Sequence, residues 1–306
     1  MTTMTEKFEP SSATAKLAES VLPNKDSQVS SSEKSKTMQK AKGKTAVRRK
    51  GKTGTRQSVG ITSLQVAILV VFIGGWELGA NHGIINKFLF SSPSAVVQIL
   101  INQFRRGTLM DNVQVTLNET LVGYLIGAIG GSVLGLLLWF SKFIADVSMP
   151  FIAAIGSIPV LAVAPMLIIW FGTGFISKVV VAAFSCIVVA LIQSYEGTEK
   201  VDNDQIELFR SFRASRLQMF TKLIVPASMP WLMVSLKLNV GFALIGAIVG
   251  EFISSNAGIG HMIVVAGASF EIGEVLAGVV LVMLLVLAFN LVLGAINGIL
   301  RKRHLA

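Results

Sequence analysis

The chain has 306 residues, of which 52% are hydrophobic and only 14% charged. Soluble domains carry about 25% charged residues, so this chain lacks the polar surface to cover a water-facing globule and reads as an integral membrane protein. The net charge of +10 sits mainly in residues 1–60, which hold 13 Lys/Arg against 5 Asp/Glu. A lone cysteine, Cys186, excludes an intrachain disulfide, and the scattered His82, His261 and His304 suggest no metal site.

Residues 1–60 are rich in Ser, Thr, Lys and Gly. Such a segment cannot bury enough apolar surface to offset the entropy of ordering, so a disordered basic tail is expected. No apolar h-region marks a secretory signal. The five acids argue against a transit peptide. "GKT" occurs at Gly43–Thr45 and Gly51–Thr53, but a phosphate-binding loop needs a further glycine five residues earlier, where Met38 and Ala46 stand. The cluster Arg48, Arg49, Lys50, Lys52 and Arg56 precedes the first apolar segment. That is where cytoplasmic charge belongs, and anionic lipid headgroups would attract it.

Crossing the hydrocarbon core takes about 20 apolar residues. Six stretches qualify: 61–80, 115–139, 149–171, 177–195, 228–250 and 275–299. The expected fold class is all-α, a polytopic membrane protein with six transmembrane helices in residues 61–306. Between the first two spans, "SPSAVVQILINQFRRG" places Val96, Val97, Leu100, Ile101 and Phe104 on one helical face, so an interfacial helix is expected there. The second span carries Gly123, Gly127, Gly131 and Gly135 at a four-residue spacing that lets helices approach closely. The third carries Pro150, Pro159 and Pro165. Proline removes a backbone donor, and broken membrane helices tend to line protein-buried paths.

Six spans return the C-terminus, with Arg301, Lys302 and Arg303, to the side of the basic tail. The positive-inside rule makes that side cytoplasmic. The loop at 196–227 falls on the same side and holds 10 of the 26 charged residues outside the tail. Arg105 and Arg106 then lie outside, a mild departure from the rule. Polar groups inside spans are costly and mark functional candidates. Pro159, Pro165, Asn239, Glu251 and Asn290 are the pathway candidates, and Glu77 lies near the outer end of the first span. Glu77 and Glu251 could equally be interfacial acids, and the two asparagines could equally be interhelical glue. No His, Cys or acid pair faces a common site, so neither a catalytic nor a metal residue is assigned.

The loop contains "ELFRSFRASRLQMFTKLIVPASMP", Glu207 to Pro230. Ile206, Phe209 and Phe212 fall about a helical turn apart among charges. Such a helix needs either a partner surface or the lipid interface. Glu207, then Ala214-Ser215-Arg216, Lys222-Leu223 and Pro226-Ala227-Ser228-Met229-Pro230 resemble the "EAA" loop of ATP-binding-cassette importer permeases. Leu208 and Phe209 stand where that family usually has two alanines, and Arg213 where it usually has glycine. "SSPSAVVQIL", "SIPVLAVAPMLIIWFGTG" and "IVGEFISSNAGIGHMI" resemble, in order, further pieces of the nitrate, sulfonate and taurine type, whose relatives include permeases for bicarbonate and thiamine-precursor pyrimidines. The resemblance covers residues 61–300.

The resemblance implies a coupling helix formed by Glu207, Leu208, Phe209, Arg210, Phe212, Arg213, Ala214, Ser215 and Arg216, docked on a separate ATPase. It implies a second permease chain (usually a homodimer), two ATPase subunits and an external solute-binding protein, in a bacterial inner membrane. No cofactor is expected in this chain, with ATP and magnesium in the partner, and no nucleic acid is expected. The competing readings are a stand-alone secondary transporter or channel, a membrane-anchored interaction protein and, last, a membrane enzyme.

Overall fold

The structure is a computed structural model that describes residues 54–303, with side chains described within 63–295. Residues 1–53 of the expected tail lie outside the described residues. Residues 54–60 belong to the first helix, α1 (Gly54–Asn81). The chain divides into two units at Val70/Val71, and α1 runs from one into the other.

The second unit is helical throughout, with no strand among the described residues. After α1 come a short α2 (Lys87–Phe90) and the amphipathic α3 (Pro93–Arg106). The second span is α4 (Thr108–Tyr124), a π-helical turn π1 (Leu125–Ile129) and α5 (Gly130–Leu138). The third is a pair, α6 (Lys142–Gly156) and α7 (Val160–Phe171), bent by 91°. The fourth is α8 (Phe175–Glu199). The loop carries α9 (Asn203–Ser211). Then α10 (Arg216–Met219), a second π turn π2 (Phe220–Ile224) and α11 (Val225–Ser254) form one continuous rod. A turn, α12 (Ile259–Ala268) and α13 (Ile272–Arg303) complete the chain. Five of these segments are long and apolar enough to cross a membrane, and six if the bent pair counts as one.

The expected spans and the helix after the first of them therefore fall in the expected order. The bend of the third span follows from its prolines. Pro159 has no N–H and restricts the residue before it to extended backbone, so α6 stops at Gly156 and α7 starts afresh at Val160. Pro150 and Pro165 lie inside α6 and α7. The turn π2 has a similar origin. Pro226 has no N–H, and its ring crowds the carbonyl four residues earlier, so the ladder just before it widens.

At the centre stands α8, packed against both α4–α5 and α11, which also meet each other. It presents small residues: Ala182, Cys186 and Ala190 are fully buried. Cβ atoms added at Gly123, Gly127, Gly131 and Gly135 would overlap Ala182, the Ala183 carbonyl, the Ile187 carbonyl and the Leu191 carbonyl respectively. The four-residue glycine spacing is thus a helix–helix seam. From α11, Gly246 meets Ser185 and Ala182, and Gly250 meets Lys178. The third span closes the same way, because a Cβ at Gly156 would lie 2.7 Å from Val188 Cγ1.

Candidate functional site

Three regions carry chemistry or mechanical coupling. The first is the loop after α8. Asp202 caps α9, accepting from Asp204 N at 3.0 Å. The helix ends in a Schellman motif: Arg213 N donates to Arg210 O at 2.9 Å and Ala214 N to Phe209 O at 3.1 Å. This motif requires a left-handed residue at its turn, and Arg213 takes that role with φ of 54°. Ser215 and Gln218 then form a reciprocal capping box that starts α10.

The helix α9 has two faces. Ile206 and Phe209 pack into a buried cluster with Val201, Met219, Leu223 and Ile224, joined by Trp139 and Phe220. Leu208 and Phe212 point away, 53% and 76% exposed, beside the exposed Glu207 and Arg210. The nine residues expected to act as one coupling set therefore divide. Phe209 faces the bundle, and Arg216 turns inward to donate from Nη1 to Phe140 O at 3.1 Å. Glu207, Leu208, Arg210 and Phe212 face out. Arg213, Ala214 and Ser215 form the turn between.

The second region is the break in the third span. A cavity of about 260 Å³ opens beside residues 155–160, walled by Phe184, Ser185, Val188, Val189, Phe242 and Ile245 from α8 and α11. Pro159 lies in its lining. Ser157 and Ser185 contribute its hydroxyls, each donating to its own helix, to Ala153 O at 2.9 Å and Val181 O at 2.8 Å. No charged side chain lines it. Pro165 is on α7, away from this lining.

The third region joins α4, α8, α11 and the start of α12. Glu251 is 1% exposed. Thr116 Oγ1 donates to Glu251 Oε1 at 2.6 Å, and Gly260 N donates to Oε2 at 2.5 Å. Ile259 N donates to Thr116 Oγ1 at 2.8 Å, and Gly258 N to Asn112 Oδ1 at 2.9 Å. A helix start leaves its first amides without intrahelical partners. Here side chains of two other helices satisfy them. Cβ atoms at Gly258 and Gly260 would run into the Glu251 side chain, and Gly258 has φ of 113°, so both positions require glycine.

Glu251 thus holds a turn together rather than facing the cavity. Glu119, 3% exposed, lies against it, and Lys178, 4% exposed, donates to Thr173 O at 2.5 Å. This corrects the expectation that no acid pair meets: two buried carboxyls lie side by side here, and Glu119 Oε2 has no hydrogen-bond partner. A glutamate within the apolar run "TLNETLVGYLIG" was the available signal for Glu119, and the motif "GIG" for the turn.

Residues 122–305, more than half of the chain, match the family of binding-protein-dependent transport system inner membrane components. The chain belongs to this family. It is 32% identical over 218 residues to a probable ABC transporter permease of Haemophilus influenzae, covering 71% of this chain and 87% of that protein. It is 28% identical over 211 residues to a putative aliphatic sulfonates transport permease of Bacillus subtilis, covering 69% and 76%. Its fold is shared with the inward-facing MetNI methionine ABC transporter, with TM-score 0.52 and 18% identity over 61% of this chain and 95% of that one. The protein is thus a multi-span permease of the nitrate, sulfonate and taurine type and a subunit of an ABC importer.

In this permease the remaining sequence candidates lie apart. Asn239 is fully buried on α11 and donates from Nδ2 to Ser235 O at 2.8 Å, with its Oδ1 unpartnered. Asn290 donates to Val286 O at 3.0 Å on its own helix. Glu77 accepts from Ser94 N at 3.0 Å and from Ser94 Oγ at 2.8 Å, tying α1 to the first turn of α3.

Proposed function

We propose that this permease forms the solute pathway of an ATP-driven importer, works as a pair of copies, and docks α9 onto separate ATPase subunits that bind ATP and magnesium. The observation that carries the docking is the two-faced helix. Ile206 and Phe209 anchor α9 in the bundle, while Leu208 and Phe212 present apolar surface on the opposite side among charges. Exposed apolar side chains of this kind fit a groove on a partner. An external solute-binding protein would deliver the substrate. Both termini would lie in the cytoplasm, the side that the positive-inside rule favours for the basic residues at each end.

The pathway would run past the third-span break, where helix ends meet an apolar cavity of about 260 Å³. Its volume suits a small solute, such as nitrate, bicarbonate, taurine, a sulfonate or a pyrimidine precursor. Its lining carries hydroxyls but no fixed charge, which leaves selection mainly to the binding protein. The bias between inward and outward states would come from ATP and the docked binding protein; reversing a 1:99 population takes about 5.5 kcal/mol.

A second reading, a stand-alone ion-coupled transporter, draws on Glu119, Glu251 and Lys178 buried together. The Glu251 carboxylate, however, is occupied by Thr116 and the amides of the α12 turn, which favours a structural role. The deciding experiment is affinity purification of the tagged chain from membranes, wild type against Glu207→Arg. An ATPase subunit that accompanies the wild type and is lost from the variant supports the importer. A chain that emerges alone in both cases refutes the docking.

A further inference from the structure

The side of α9 that faces the bundle ends on an aromatic cluster. Trp139 and Phe140 follow the second span directly, and both rings meet Phe220, at centroid separations of 5.8 and 4.6 Å. Trp139 and Phe220 also pack into the cluster that holds Ile206 and Phe209. Arg216 closes the group from the loop side, donating to Phe140 O at 3.1 Å. That carbonyl lies just past a helix C-terminus, where partial negative charge accumulates and a guanidinium is favoured.

These residues stand between elements with different mechanical properties. The 139–141 turn is tight: Trp139, Phe140 and Ser141 each donate to the carbonyl three residues back, at 3.1–3.2 Å. Ser141 Oγ then caps α6, accepting from Ile144 N at 3.3 Å. Displacing this turn must move the end of the second span and the first half of the bent third span together. Phe220, by contrast, opens π2, where the regular helical ladder is widened. A π turn is a common site of local adjustment. The Phe220 ring can therefore follow the loop while the long α11 stays in place.

We propose that Trp139, Phe140 and Phe220, closed by Arg216, are the positioning residues that carry displacement of α9 into the third-span turn beside the cavity. This rests on the importer reading above. A push on α9 would reach Phe220 and Trp139 through the shared cluster, the 139–141 turn through ring contacts and Arg216, and α6 through the Ser141 cap. The ring at 220 must be aromatic for this, because the couplings are ring-to-ring contacts.

The test uses the full chain purified with its ATPase and carrying Ser157→Cys as a reporter in the cavity lining. The native Cys186 is fully buried, so a membrane-impermeant maleimide reports on position 157. Labelling is compared without nucleotide and with ATP and vanadate, in wild type, Phe220→Leu, Phe220→Tyr and Arg216→Ala, alongside ATP hydrolysis. The expected result is a several-fold nucleotide-dependent change in labelling for wild type and Phe220→Tyr. Phe220→Leu should lose that change while the complex still hydrolyses ATP, and Arg216→Ala should weaken it. A change in labelling that survives in Phe220→Leu overturns the proposal. So does parallel loss of hydrolysis and labelling response, which marks a merely structural role. So does an assembled wild type whose labelling ignores nucleotide. A wild type that brings no ATPase refutes the importer reading itself.

Discussion

The seam between the second span and α8 can be tested with two neighbouring glycines. Gly130 and Gly131 differ in what a methyl group would meet. At Gly130 nothing lies within 4 Å, whereas at Gly131 the new Cβ would overlap Ile187 O and lie 3.0 Å from Ala190 Cβ. Both substitutions remove a glycine from a helix, which is worth up to about 1 kcal/mol in favour of alanine. Gly130→Ala should therefore be neutral to stabilising. Gly131→Ala adds an overpacking penalty of about 1–3 kcal/mol, because the obstacle is backbone and cannot rotate aside. The two variants should then differ by about 1–3 kcal/mol, with Gly131→Ala the less stable. Thermal unfolding of the purified chain in one detergent measures the difference directly, since the same atoms are added in each case. Equal midpoints would refute the close seam, and so would a more stable Gly131→Ala.

Other consequences follow from single contacts. Thr116→Val keeps the volume but leaves Ile259 N and Glu251 Oε1 each short of a partner, and should lower stability by about 1–3 kcal/mol, read as an earlier unfolding midpoint. Arg213→Gly should preserve or raise stability, because it relieves a left-handed non-glycine residue, while Arg213→Val should lower it by about 1–2 kcal/mol. Phe212→Ala should leave the isolated chain's unfolding midpoint unchanged yet weaken ATPase capture, because its ring is 76% exposed. Removal of residues 1–45 is expected to leave uptake intact, and loss of the assembled complex on that deletion would make the tail structural.

The span pattern was legible because it rests on local properties. Apolar length marks a crossing, and proline marks a break whatever surrounds it. The glycine spacing in the second span announced a seam for the same reason, although only the structure identifies α8 as its partner. The two faces of α9 were harder to read. Phe209 and Phe212 are three residues apart in sequence, yet one packs inward and the other outward, because α9 ends at Ser211 and Phe212 lies just past its end, where the chain leaves the helical path. The Glu251 site was least legible. Its partners Asn112, Thr116 and Glu119 lie more than 130 residues away in the chain, and Thr116 and Asn112 are unremarkable in composition. Burial of the acid could not be inferred from its position at a span end, where most acids face water.

These contacts also divide the permease into stiff and compliant parts. At the α11–α12 turn, the first amides of α12 are bonded to side chains from α4 and α11, so that turn cannot open without leaving buried polar groups unpaired. Along α8, backbone carbonyls lie against glycines with no room to slide. Flexibility is left where the backbone ladder is interrupted: the break at residues 157–159 and the π turns 125–129 and 220–224. Two of these three adjoin the working regions, one at the cavity and one at the aromatic cluster beside α9. A packed bundle moves by shifting rigid pieces about such interruptions rather than by deforming its core. The third, π1, lies within the glycine seam, so any rotation of α4 against α5 must turn about residues 125–129. Filling Gly127 in that turn should therefore restrict movement as well as packing, because its Cβ would overlap the Ala183 carbonyl and lie 2.5 Å from Cys186 Sγ.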